Sequence, residues 1–213
     1  EPRPWARRLT LIGFTLFVLA SAATIQLTAS ITEIAQALPP TPDPATVPVS
    51  VEVTDRDGLL LRPFTTRDGR WRLPITRDAV DRRFLDMLVA YEDRSFAEHN
   101  GIAWSSMLRA AGQFVAAGGR VVSGGSTLTM QVARLVEGEP TRNAWGKLRQ
   151  IVHATALERG LSKDQILDLY LTLAPYGGNI EGIRAASLAY FGKEPSRLTT
   201  AQAALLVALP QSP

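Results

Sequence analysis

The longest run of apolar positions lies at the start of the chain. No charged residue occurs from Leu9 to Thr32, and Leu11–Ala20 is the most apolar part. About 20 apolar residues cross a bilayer, so 9–32 is predicted to be a transmembrane anchor. Arg3, Arg7 and Arg8 precede it, which puts residues 1–8 in the cytoplasm and everything after the anchor outside it. Ala20-Ser21-Ala22-Ala23 resembles a cleavage site, so a removed signal peptide is the rival reading. The length of the run favours an uncleaved anchor.

The pattern then changes twice. Pro39, Pro40, Pro42, Pro44 and Pro48 exclude regular structure and predict a semi-rigid linker over 33–48. Val49-Ser50-Val51-Glu52-Val53 alternates with period two and predicts a strand. Asp55-Arg56-Asp57-Gly58 reads as a turn, and Leu59-Leu60-Leu61 as a return strand. Asp68-Gly69 turns again before Trp71-Arg72-Leu73. Residues 49–75 are therefore expected to form a small β element with no chemistry of its own.

From Thr76 the period becomes helical. Leu85, Leu88 and Glu92 share one face of a predicted helix, so a carboxylate continues an apolar stripe. Such a group has either a partner or a task. From this helix alone, a salt bridge to Arg94 is the favoured reading. Trp104, Leu108, Ala111 and Val115 form a second stripe, expected to pack in the core; an apolar face resting on the bilayer is the alternative. Gly118–Gly125 is a glycine-rich loop without the phosphate-loop pattern GxxxxGK[ST]. Thr127, Gln131 and Arg134 then make a polar stripe on the next helix. Either a solvated face or an anionic ligand near the helix start accounts for it.

A linker with Pro140 precedes the stripe Leu148, Ile151, Val152, with Lys147 and Gln150 on an adjacent face. Ser162–Gln165 and Thr199–Gln202 read as capping boxes. Ala203–Leu209 is apolar almost all round and is expected to be buried. The sum is a mainly α domain over 76–213.

Composition narrows the function. The net charge is +3 with no basic block, so nucleic acid is not an expected partner. With no cysteine, disulfides and thiol chemistry are excluded. His99 and His153 do not make a zinc-ligand pair. The sequence lacks an initiator Met and is expected to be part of a longer protein.

Five motifs stand in order. Glu92-Asp93-Arg94-x-Phe96-x-x-His99-x-Gly101 matches EDRxFxxHxG. Gly125-Ser126-Thr127-Leu128-Thr129-Met130-Gln131 is similar to GxSTxTxQ, with Arg134 following. Lys147-x-x-Gln150 sits where RKxxE would. The stretch Ile166-Leu167-x-x-Tyr170-Leu171 through Tyr190-Phe191-Gly192-Lys193 matches the fourth motif, and Ala203–Pro213 the fifth. Residues 76–213 thus resemble the peptidoglycan glycosyltransferase domain of class A penicillin-binding proteins, glycosyltransferase family 51. The resemblance implies a lysozyme-like, mainly α domain behind one transmembrane helix and a small β element. Gly146, Gln150 and Met130 depart from the family's usual Arg, Glu and Gln. Met130 and the Lys-Leu-Arg-Gln run resemble the penicillin-binding protein 1C type, in which a transpeptidase domain normally follows.

What the resemblance implies is polymerisation of lipid II into glycan strands, with inversion and release of undecaprenyl diphosphate. Glu92 is the implied general base and Lys147 the implied partner of the diphosphate. Asp93, Arg94, Phe96, His99, Ser126, Thr127, Gln131, Arg134 and Gln150 are the implied substrate-binding set. His99 is equally readable as a structural hydrogen-bond partner. No cofactor is required. A divalent cation (Mg or Mn) is weakened as an expectation because Gln150 replaces a carboxylate; Glu158 is the one compensating carboxylate, and a plain helix-end role suits it better. Expected partners are lipid II, the growing glycan, the inner membrane and cell-wall synthesis proteins. A glycan-cleaving hydrolase and a non-catalytic scaffold are the alternatives.

Overall fold

In the globular part of the chain, helix α6 (Lys163–Leu173) is the centre. Every residue from Ile166 to Leu173 except Asp168 is buried. It starts at a capping box, in which Ser162 accepts from the Gln165 N–H and the Gln165 side chain accepts from the Ser162 N–H. This satisfies two N–H groups that the first helical turn leaves open. The computed structural model describes residues 4–118, 125–138 and 144–211. The glycine-rich stretch 119–124, the Pro140 linker and the end of the fifth motif lie outside the described residues.

The chain divides into two units, Glu1–Pro39 and Pro40–Pro213. The first is one helix, α1 (Pro4–Ala37), of which Leu11–Ala37 is long and apolar enough to cross a membrane. It runs five residues beyond the predicted end at Thr32, so Glu33–Ala37 belong to the helix and not to the linker. Pro39 and Pro40 stop it, because proline disfavours helix at the residue before it.

In the second unit, β1 (Val51–Thr54) pairs antiparallel with β2 (Leu60–Phe64), with Val51 opposite Phe64. Asp55 closes their turn by accepting from the N–H groups of Asp57 and Leu59. Strand β3 (Trp71–Arg72) pairs in parallel with β4 (Ile180–Glu181), far along the chain. Arg72 is bonded to Glu181, and Arg184 to Glu52 and Glu194. The β element is therefore fastened to the helical domain.

Helices α4 (Leu128–Glu137), α5 (Ala144–Gly160) and α7 (Ile183–Phe191) pack on α6, while α8 (Thr200–Ala208) packs on α7 and α2 (Arg82–Glu92) on α8. Phe84, Leu88, Leu128, Met130, Val132, Leu157, Ile166 and Leu206 form the core. Gly182 (φ +83°) lets β4 turn into α7: a Cβ there would lie 2.7 Å from the Thr172 carbonyl oxygen. Two expectations need correcting. Trp104, Leu108 and Val115 on α3 (Trp104–Ala116) are 64%, 72% and 77% exposed, so this stripe is not core; the Ala111 side chain lies outside the described ones. Helix α8 buries Ala203, Leu206 and Val207 but exposes Ala204, Leu205 and Ala208.

Candidate active site

Glu92 is the last residue of α2, directly after the buried turn that carries Leu88. The helix ends because Asp93 leaves helical geometry and turns inward. The Asp93 Oδ2 accepts from the Leu128 N–H at 3.0 Å and from His99 Nε2 at 2.9 Å. His99 Nδ1 accepts from the Gly101 N–H at 3.1 Å. That second bond places the ring proton on Nε2.

Gly101 (φ +89°) is pressed against α5: a Cβ would lie 2.9 Å from the Ala154 carbonyl oxygen. Thr127 donates to the Gly101 carbonyl at 2.6 Å and caps α4 by accepting from the Met130 N–H. Phe96 is buried beneath the Lys163 ammonium, 4.6 Å from the ring centroid. The first motif is thus a folded loop that clamps the end of α2 to the start of α4.

This clamp brings Glu92 to Gln131, whose Nε2 donates to Glu92 Oε2 at 2.7 Å. Arg94 does something else: its Nε donates to the Ala90 carbonyl at 3.1 Å. A cavity of about 830 Å³ opens here, walled by Glu92, Asp93, Arg94, Ser126, Thr127, Gln131, Arg134 and Gln150. Phe96 and His99 are not among its wall residues; His99 acts through Asp93, and the Phe96 ring packs edge-on to His99, with 6.3 Å between centroids. Glu158 is not among the wall residues either: it accepts from Thr129 and Lys163 at 2.6 Å each, ties that hold α4 and the start of α6 to α5.

Lys147 sits beside the wall. Its Nζ donates to Ser126 Oγ at 2.6 Å and to Gln150 Oε1 at 3.0 Å. Burial, and then the nearby Arg134, hold its ammonium below the usual lysine range. Gln150 also donates from Nε2 to the Met130 carbonyl at 2.7 Å. Among the described residues neither Lys147 nor Arg134 has a carboxylate partner. Glu92 therefore shares this site with two cations, Arg134 in the wall and Lys147 beside it, that have no carboxylate partner among the described residues, an arrangement suited to removing a proton beside a developing anion.

The transglycosylase family model matches residues 58–213. The chain belongs to that family. Penicillin-binding protein 1C of Escherichia coli (strain K12) is 50% identical over 161 residues, which is 76% of this chain and 21% of that protein. Penicillin-binding protein 1F of Bacillus subtilis (strain 168) is 34% identical over 164 residues, 77% of this chain and 22% of that protein. The chain spans about a fifth of the length of these curated relatives. This transglycosylase is a peptidoglycan glycosyltransferase domain of the class A penicillin-binding protein kind, and is 1C-like.

Ser106 and Arg109, wall residues of the transglycosylase that come from α3, lie outside the five motifs, with Arg109 Nη2 3.4 Å from Ser106 Oγ, while Pro175 and Pro210 fall within the fourth and fifth. Arg109 repeats the positive sign of Arg94 and Arg134. Behind the site, the buried hydroxyls of Tyr170 and Tyr176 have no hydrogen-bond partner among the described residues. Burial pushes the Tyr170 hydroxyl far up, and the Glu92 charge adds to it. Their apolar neighbourhood gave no polar pattern to read.

Proposed function

We propose that this domain polymerises lipid II. The acceptor sugar's 4-hydroxyl attacks the anomeric carbon of the growing strand from the face opposite its lipid diphosphate. A C–O bond forms there as the bond to the diphosphate oxygen breaks, inverting the centre. Glu92 takes the hydroxyl proton, and the leaving diphosphate carries away the electron pair. Gln131 keeps the Glu92 carboxylate in place. Lys147, Arg134 and Ser126 receive the negative charge that grows on the diphosphate.

The observation that carries this reading is Glu92 in one cavity wall with Arg134, with Lys147 beside it, both cations having no carboxylate partner among the described residues. Glycan cleavage needs no such pair of cations, because its leaving group is an alcohol. The exposed α3 face adds support: Trp104, Leu108 and Val115 form an apolar stripe on the helix that also lends Ser106 and Arg109 to the cavity. An amphipathic face of this kind suits a membrane surface, where a lipid-linked substrate resides. Arg3, Arg7 and Arg8, ahead of the apolar part of α1, favour a cytoplasmic N-terminus, with the catalytic domain on the other side of the membrane and within reach of cell-wall synthesis proteins.

The test is incubation of the protein with lipid II in detergent. Polymer whose formation moenomycin blocks is the expected result. Cleavage of preformed glycan without polymerisation would assign a hydrolase instead.

A further inference from the structure

The family resemblance admits a divalent cation at the position of Gln150. The residues present do not suit one. The amide oxygen of Gln150 is occupied by the Lys147 ammonium and its nitrogen by the Met130 carbonyl. Arg134 stands close enough to act on Lys147, so an incoming metal ion meets two positive charges. Among the described residues no group of three or more His, Cys, Asp or Glu is placed to hold a metal ion.

The same bonds show what the amide does. Gln150 is 5% exposed, and both ends of its side chain are committed. One end grips a carbonyl of α4 one turn before Arg134, and the other grips Lys147 on its own helix. The spacing of the two cations is thereby fixed across the α4–α5 contact. A carboxylate in this place has no proton to give to the Met130 carbonyl and would neutralise the ammonium. Ser126 and Gln150, both neutral, leave the charge of Lys147 whole. Among the described residues they take two of its three N–H groups, which leaves the third for an anion.

We infer that Gln150 is a positioning residue: its amide holds Lys147 beside the cavity wall without neutralising it, making a diphosphate site that works on two cations with no divalent metal. The inference rests on the function proposed above.

The experiment uses the whole chain in detergent, with lipid II in EDTA or in Mg or Mn. The wild type is expected to turn over equally in both. Gln150→Glu is expected to lose roughly ten- to hundredfold in kcat/KM in EDTA, the scale of one charge-assisted contact, and to regain part of it with metal. Gln150→Met, which removes both bonds without adding charge, should lose activity in either buffer with no rescue. A second readout needs no turnover. The chain has three lysines, Lys147, Lys163 and Lys193, so the titration of the Lys147 ε-methylene can be followed by NMR. Gln150→Glu should move it to higher pH. A wild type that EDTA inactivates, or a Lys147 titration that Gln150→Glu leaves unmoved, overturns the inference. A shifted titration in a protein that polymerises nothing upholds the positioning role and sinks the proposed function.

Discussion

Gln131 on α4 donates its amide to the Glu92 carboxylate on α2 at 2.7 Å, joining the second motif to the first. The bond selects one orientation of the proposed base. Gln131→Met keeps the volume and removes the donor. Loss of a hydrogen bond to a charged acceptor is worth about 1.5–3 kcal/mol, so kcat/KM should fall by roughly tenfold or more while the melting temperature changes little. An unchanged kcat/KM would show that this bond does not serve the reaction.

Gly101 should be irreplaceable for steric reasons. Its positive φ and the Ala154 carbonyl 2.9 Å from a would-be Cβ act together. Gly101→Ala is expected to cost about 2 kcal/mol or more. Gly138→Ala, at φ +68° with nothing within 4 Å, should cost about 1 kcal/mol. Thermal denaturation of the pair checks the ordering.

The α3 stripe gives a test that separates surface from core. Replacing both Leu108 and Val115 with Gln should leave stability within about 0.5 kcal/mol, as exposed substitutions do. The KM for lipid II should rise severalfold, since the apolar face no longer meets the membrane or micelle. A large drop in melting temperature would mean that the face is buried.

Lys147 predicts a pH dependence. Burial, and then Arg134, hold its ammonium below the ordinary lysine value of 10.5. The depressed group loses its proton, and the site loses that charge, at lower pH than free lysine would. The alkaline limb of kcat/KM should therefore begin below 10.5 and move up in Lys147→Arg, because a guanidinium keeps its proton. A limb that stays in place would assign it to another group.

Much of this was legible in the sequence because it is local. The capping boxes at Ser162 and Thr199 need only a spacing of three, and both form. Glu92 on the stripe of Leu85 and Leu88 needed only the helical period. The same period found the Trp104–Leu108–Val115 face but could not say what covers it, since amphipathicity is the same toward a core or a membrane. The pairing of Trp71 with Ile180 was hidden because two-residue strands carry no period. The partner of Gln150 was hidden because it is the backbone carbonyl of Met130, and a carbonyl has no letter. For the same reason the hydrogen bonds of Asp93, His99 and Thr127 to the loop and helix start that hold the site were hidden, although Asp93 and Thr127 also line the cavity.

The most direct measurement compares wild type with Glu92→Gln in lipid II polymerisation, with circular dichroism on both. Gln is nearly isosteric, and its amide can still present an oxygen to Gln131, so the fold should persist. The account predicts a loss of at least about a hundredfold in turnover, the scale of a positioned general base, with an unchanged spectrum and melting curve. Retained polymerisation in the folded variant would contradict it.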